Sequence, residues 1–435
     1  MKRKTPVLIG MTAALALTLT ACSGDDGGSD TPPAAEGPVT LTLAGWSLSS
    51  TPEFQTLADA FNEENPDVTV EVQEYAAGDD YDTQMTADLA AGTAPDVYVL
   101  KNLKNFFTYQ SGGQLLDVSE VTGALDPSTG GLDAYEADGA SYAVPYRQDS
   151  WVLYYNQDMF DEAGVDQPDG SWTWDDYEQA ANDLTDGLEG DARGTYQHSW
   201  QSTVQGFALA QSGGALDTAD YGYLEPFYDR VLDLQDSGAQ VDFGTITTNS
   251  LTYQAEFGTQ KAAMLPMGSW YVATLIAQQA SGEADEFAWG LAPIPQVDSS
   301  TTGTDATPVT FGDPTGLGIN AGIDEEKIQA AQDFLAFAAG EGGANALAEI
   351  GITPALLGDD VVDTYFGLEG MPTDDLTRFA FSTHETLPEN PVGASTAIVQ
   401  NILGDLHSAV MSESTSVADA ISEAEARAAN EAGIS

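Results

Sequence analysis

Residues 142–160 read YAVPYRQDSWVLYYNQDMF, two strand-like runs rich in aromatic and β-branched side chains with only residues 147–150 between them. That spacer holds Arg147, Gln148 and Asp149. Charged groups set between two buried strands are costly unless each finds a partner or faces a water-filled cleft. The stretch therefore predicts that the chain crosses here from one folded unit to another past a ligand site, with Arg147 and Asp149 as candidate contacts. Asn156 follows as the cap of the next helix.

The chain has 435 residues, too many for one hydrophobic core, so two lobes are expected. The alternating run 39–43, a helix with Pro52 at its first position, and a second alternating run at Val68, Val70 and Val72 make a parallel strand-helix-strand unit. Ser50 or Thr51 is the expected cap, and Phe54, Leu57, Ala58 and Phe61 line the buried face. Trp46 falls in a Gly-Trp-Ser loop at the first strand's carboxyl end, where open α/β sheets bind ligands; a core position is its competing role. Lys101 and Asn102 directly follow the buried run 96–100 at an equivalent edge. For Lys101, ligand contact competes with a structural ion pair.

In the second half, Thr173 and Asp176 have capping-box spacing, with Trp174, Tyr177, Ala181 and Leu184 as the buried face of the helix. Residues 196–200 (YQHSW) are a polar, aromatic loop ahead of an apolar helix, and Trp200 is a candidate to face the cleft. Gly268 turns the chain after the strand 262–267, Ser269 caps the next helix, and Trp270 stands in its first turn as a stacking wall. Helices are also expected over 223–236, from Ile328 to Ala338 returning to the first lobe, along Ile398, Ile402, Leu406 and Val410, and in an acidic tail from Ser416.

The central stretch resembles the extracellular solute-binding proteins of ABC importers, in the large family that carries sugars and oligosaccharides (family 1, maltose-binding-protein-like). The likeness continues in residues 172–177 (WTWDDY), in Lys261–Met264 with Gly268-Ser269-Trp270, and in 290–295 (GLAPIP). It implies an α/β, two-lobed periplasmic-binding-protein-like clamshell of type II, with the ligand cleft between lobes and two to three crossover segments. The expected division is 39–147 plus 314–357 for lobe 1 and 148–313 plus 358–435 for lobe 2. Residues 309–320 resemble the second crossover, which makes Asp313 a cleft-edge candidate, with an Asx turn as its equal competitor. The resemblance also implies closure of the lobes on a sugar and delivery to a membrane permease, by a binding protein rather than an enzyme.

Lys2, Arg3 and Lys4 precede an apolar run from Val7 to Leu19 and then Cys22. Residues 1–21 read as a signal peptide, and the segment resembles a bacterial lipobox, which implies lipidation of Cys22 and anchoring on the outer face of the cell membrane. Residues 22–38, rich in Gly, Ser, Asp and Pro, read as a flexible tether. Cys22 is the only cysteine, so disulfides and cysteine-based metal sites are excluded.

Three of the twelve basic residues lie in the first four positions, so the chain from Cys22 onward carries nine bases against 69 acids, a formal charge of −60. Such a surface repels phosphate backbones, which argues against nucleic-acid partners. Its acids are so numerous that no carboxylate pair is evidence of catalysis. His198, His384 and His407 lack metal-ligand spacing, and the glycines at 316 and 318 lack the context of a dinucleotide fingerprint, so no metal or cofactor is expected. A monomer is expected. Two other classes stay open: a peptide- or osmolyte-binding protein of the same shape, and an exported glycan hydrolase, for which no GxSxG, HExxH or defined acid pair is present.

Overall fold

The structure is a computed structural model that describes residues 37–434 apart from 47, 49–51 and 77–78. The leader, Cys22 and the expected caps Ser50 and Thr51 lie outside the described residues. Two sheets organise the chain. The first has the strand order Val68–Tyr75, Val39–Trp46, Val97–Leu100, Pro314–Ile319, Val144–Gln148. Its first three strands are parallel, while Pro314–Ile319 runs antiparallel to both of its neighbours. The second has the order Trp289–Ala292, Trp151–Asn156, Ala262–Gly268, Arg193–Thr195.

Central strands covered on both faces cannot alternate, and Trp151–Asn156 and Ala262–Gly268 are buried at every position. Pro266 sits inside one of them, although proline cannot complete a ladder. The neighbouring strand Arg193–Thr195 pairs only as far as Met264, so Pro266 lies beyond its end, with a partner on one side alone. Helix Trp174–Gly187 has its capping box: the Thr173 side chain accepts from the Asp176 backbone and Asp176 returns the bond. Helix Ile328–Ala339 packs on the first lobe through Phe334, edge-on to Phe61 at 5.2 Å. In helix Thr396–Met411, Ile402, Leu406 and Val410 are buried as expected, but Ile398 is 40% exposed.

Two hydrophobic cores result, so the protein is a two-lobed α/β molecule. One core draws on Leu41 to Tyr146 and Leu317 to Ile352, the other on Trp151 to Phe311 and the chain from Leu356 on. Helix Glu341–Ala348 serves both: Leu347 is in the first core, Ala344 and Ala348 in the second. Like charges crowd the surface of both lobes and repel one another, and salt screens this within about 10 Å at roughly 0.1 M. The unfolding midpoint is expected to rise by several degrees between about 20 mM and about 0.5 M sodium chloride. A midpoint that falls or stays level in a salt series would show that self-repulsion does not limit stability.

Candidate functional site

The three connections between the lobes run side by side. The Arg147 backbone bridges Pro354, the Ala355 N–H donates to the Tyr146 carbonyl, and Gly312 lies against Asp149. A Cβ at position 312 would stand 2.3 Å from the Asp149 carbonyl oxygen, so only glycine lets the first and second connections meet.

Arg147 is the centre of this junction. Its Nη1 donates to Glu53 Oε2 at 2.6 Å and its Nε to Asp149 Oδ2 at 2.5 Å. The Tyr146 hydroxyl donates to the other Glu53 oxygen at 2.7 Å, the Ser269 hydroxyl donates to Asp149 Oδ1 at 2.7 Å, and the Thr353 hydroxyl donates to Ser269 at 3.0 Å. The relay therefore runs from the first lobe, through the first connection, to the second lobe and the third connection. Burial alone would lower the Arg147 pKa, but the carboxylates of Asp149 and Glu53 outweigh it and hold the guanidinium above its ordinary value. Two carboxylates share one cation, each oxygen with a donor.

Ser269 was expected to cap a helix. In the structure Trp270 occupies the cap position of helix Tyr271–Ser281 with no side-chain bond, and the Ser269 hydroxyl is used on Asp149. A charged acceptor holds a hydroxyl more strongly than a backbone amide does. The Trp270 ring folds back over Gly268, where a Cβ would come within 1.9 Å of it. What approaches this glycine closely is therefore the indole, not a ligand. Trp270 stands edge-on to Trp151 at 5.4 Å, and Trp200 lies 6.5 Å away between ring centres. Trp200 in turn meets His198 at 4.5 Å and Tyr253 at 5.7 Å, and is 41% exposed. Trp200 and Trp270 are thus parts of one aromatic wall on the second lobe, beside the hinge relay.

On the first lobe the candidates are placed differently. Trp46 is not in a loop. It is the last residue of its strand, opposite Tyr75, and stands edge-on to Phe54 at 4.8 Å and Tyr81 at 5.0 Å. The Phe54 ring fills the space over Gly45, and the indole completes that packing, so much of Trp46 belongs to the core. Lys101 pairs with Asp82 at 3.1 Å and lies 5.6 Å from the centre of the Tyr81 ring. Asn102 accepts the Lys104 N–H in an Asx-type turn.

Asp313 is half-buried and saturated. Its Oδ1 accepts from the Glu389 and Asn390 N–H groups, and its Oδ2 from the Leu103 N–H and Asn390 Nδ2. Burial pushes this carboxyl above the ordinary range although the four donors oppose it. Asp313 ties the loop after Val97–Leu100 to the chain at 389–390, which leaves no lone pair directed at a cleft. Its neighbour Glu389 is pushed up to about 8 by burial and by Asp313, with Lys104 opposing.

Glu53, Ser269, Thr353, Tyr253 and His198 were not singled out as site residues. Glu53 had one signal, an acid at a helix start just after Trp46; Tyr253 had none, because an aromatic at a helix start most often serves the core. Chemically, the wall offers carbon faces for stacking, and the relay offers polar groups already fixed in orientation.

Residues 45–345 match the family described as bacterial extracellular solute-binding protein. A crystal structure of a sugar transporter protein from Rhizobium etli, in an open conformation, is 31% identical and superposes with a TM-score of 0.76, covering 89% of this chain and 98% of that one. The melibiose/raffinose/stachyose-binding protein of Bacillus subtilis is 27% identical over 176 residues, 40% of this chain and 38% of that protein. The sn-glycerol-3-phosphate-binding periplasmic protein of Escherichia coli is 29% identical over 35% of this chain and 36% of its own length. The chain thus spans under two fifths of the length of these two curated relatives.

Proposed function

The chain belongs to the bacterial extracellular solute-binding protein family, and from that premise we propose that it captures a sugar or oligosaccharide by lobe closure and hands it to the membrane permease of an ABC importer. The observation that carries the cargo class is the wall of Trp200, Tyr253 and Trp270 beside the Arg147 relay. Sugars present apolar C–H faces ringed by hydroxyls. Stacked aromatic faces cover the former, and polar side chains at the hinge meet the latter. Lys101, Asn102 and Trp46 line the facing lobe in this reading, and Arg147 and Asp149 act through the hinge. Closure turns about the three connections near residues 147–149, 313–314 and 353–357.

The rings of the wall meet edge-on at 4.5 and 5.7 Å, and Trp200 and Trp270 meet tilted at 6.5 Å. A quaternary ammonium needs an open cage with aromatic faces on several sides, so this arrangement favours a sugar face over an osmolyte. Membership of the family carries an extracellular or periplasmic location with it. Anchoring by a lipid on Cys22, and action as a monomer without catalysis, are parts of the proposal.

Thermal unfolding tests it. A ligand that binds only the folded state stabilises by roughly 2.7 kcal/mol at a hundredfold excess over Kd. One class among neutral mono- and oligosaccharides, raffinose and stachyose included, is expected to raise the midpoint saturably, and glycine betaine and a tripeptide are not. A shift with betaine or peptide and none with any sugar would overturn the cargo class.

A further inference from the structure

We infer that Nε2 of His198 is the acceptor for a ligand hydroxyl at the aromatic wall and orients the sugar on it, an inference that rests on the sugar-binding reading above. The argument is one of counting protons. The Tyr196 hydroxyl lies 3.1 Å from the Leu251 carbonyl, which can only accept, so its single proton goes there. The same oxygen lies 3.0 Å from His198 Nδ1. For both bonds to exist Nδ1 must carry the ring's N–H, and Nε2 of the neutral imidazole is left with its lone pair. Burial keeps the ring neutral, its pKa pushed down to about 4.

Among the described residues no hydrogen bond reaches that Nε2. The half-buried ring stands edge-on to Trp200 at 4.5 Å and to Tyr253 at 5.5 Å, within the wall itself. Its backbone is held near Thr203, whose hydroxyl lies 2.7 Å from the Trp200 carbonyl and 3.0 Å from the His198 carbonyl and shares its one proton between them. His407, on the other side of the same loop, shows the contrast. Its Nε2 lies 3.2 Å from the Ser199 carbonyl and must donate, and its Nδ1 takes the Tyr228 proton at 3.0 Å. One histidine is closed on protein partners and the other has an acceptor left over.

Asp149, the charged acceptor beside the wall, is already committed to Arg147 and Ser269. A lone pair at this point takes an O–H or N–H donor and repels a carboxylate or phosphate oxygen. The geometry thus points to a ligand that places a free hydroxyl, not an acidic group, over Trp200.

The experiment is a long-range proton–nitrogen correlation spectrum of the full chain with 15N-labelled histidine, without ligand and saturated with whichever neutral sugar raises the unfolding midpoint. The expected result is an Nδ1–H tautomer for His198, with its Nε2 resonance moving upfield on binding while those of His407 stay in place. His198→Phe is expected to weaken sugar binding about tenfold, the size of one net hydrogen bond, with the unfolding midpoint recorded beside it. An Nε2–H tautomer, or an Nε2 resonance that does not respond to a sugar that binds, overturns this inference alone. If no sugar in the panel binds, the sugar reading fails and this inference with it.

Discussion

Arg147→Met is expected to cost about 3–5 kcal/mol of folding stability, read from urea unfolding followed by far-UV circular dichroism. The side chain is only 11% exposed and separates Glu53, at 1%, from Asp149, at 10%. Removing it leaves two carboxylates in one dry junction, each having lost its strongest donor. Uncompensated buried charge dominates such losses, more than the missing attraction. The double variant Glu53→Gln with Arg147→Met should therefore recover part of the loss, because one of the two orphaned charges has gone. A single-variant loss below about 1 kcal/mol, the range of an exposed ion pair, would show that water reaches the junction and that the relay does not hold the lobes.

Trp270→Ala is expected to weaken sugar binding by about 30- to 100-fold, or 2–3 kcal/mol, in a calorimetric titration. The indole follows Ser269 of the hinge relay directly in the chain, and its loss also frees the ring space above Gly268. Trp270→Phe keeps a stacking face without the N–H and should retain most of the affinity. If alanine leaves affinity within about threefold while phenylalanine does the same, the wall is core and the ligand lies elsewhere.

The strands and the caps at Asn156 and Thr173 were legible in the sequence because they are local. Thr173 and Asp176 lie three residues apart and bond as their spacing predicts, and the run 151–155 is buried because nothing in it tolerates water. The aromatic wall was half legible: Trp200 and Trp270 stand out as large rings beside polar residues or a glycine, but Tyr253 and His198 join them only through the fold. The hinge relay was legible at Arg147 and Asp149 and nowhere else. Glu53 is 94 positions from Arg147, and Ser269 is 120 from Asp149, so no window of sequence contains both partners. The surroundings of Trp46 and Asp313 were not legible for a related reason. A polar neighbourhood in sequence says nothing of Phe54 and Tyr81 closing on an indole, or of four donors, 76 to 210 positions away, filling a carboxylate.

The strand Pro314–Ile319, wedged between Val97–Leu100 and Val144–Gln148, sets an order of events as the chain folds. Before residue 319 is available, the first sheet lacks its fourth member and Val144–Gln148 has no neighbour to join. The second lobe's sheet needs only residues 151–292. A segment that emerges progressively from its amino end can thus form the second lobe's sheet first, while the first sheet waits for residue 319 and the second lobe's core waits for the chain from Leu356 on. Closing so distant a pairing is slow compared with local contacts. Through that interval the edges of Val97–Leu100 and Val144–Gln148 are open to mispairing, and agents that guard nascent chains would act there to greatest effect.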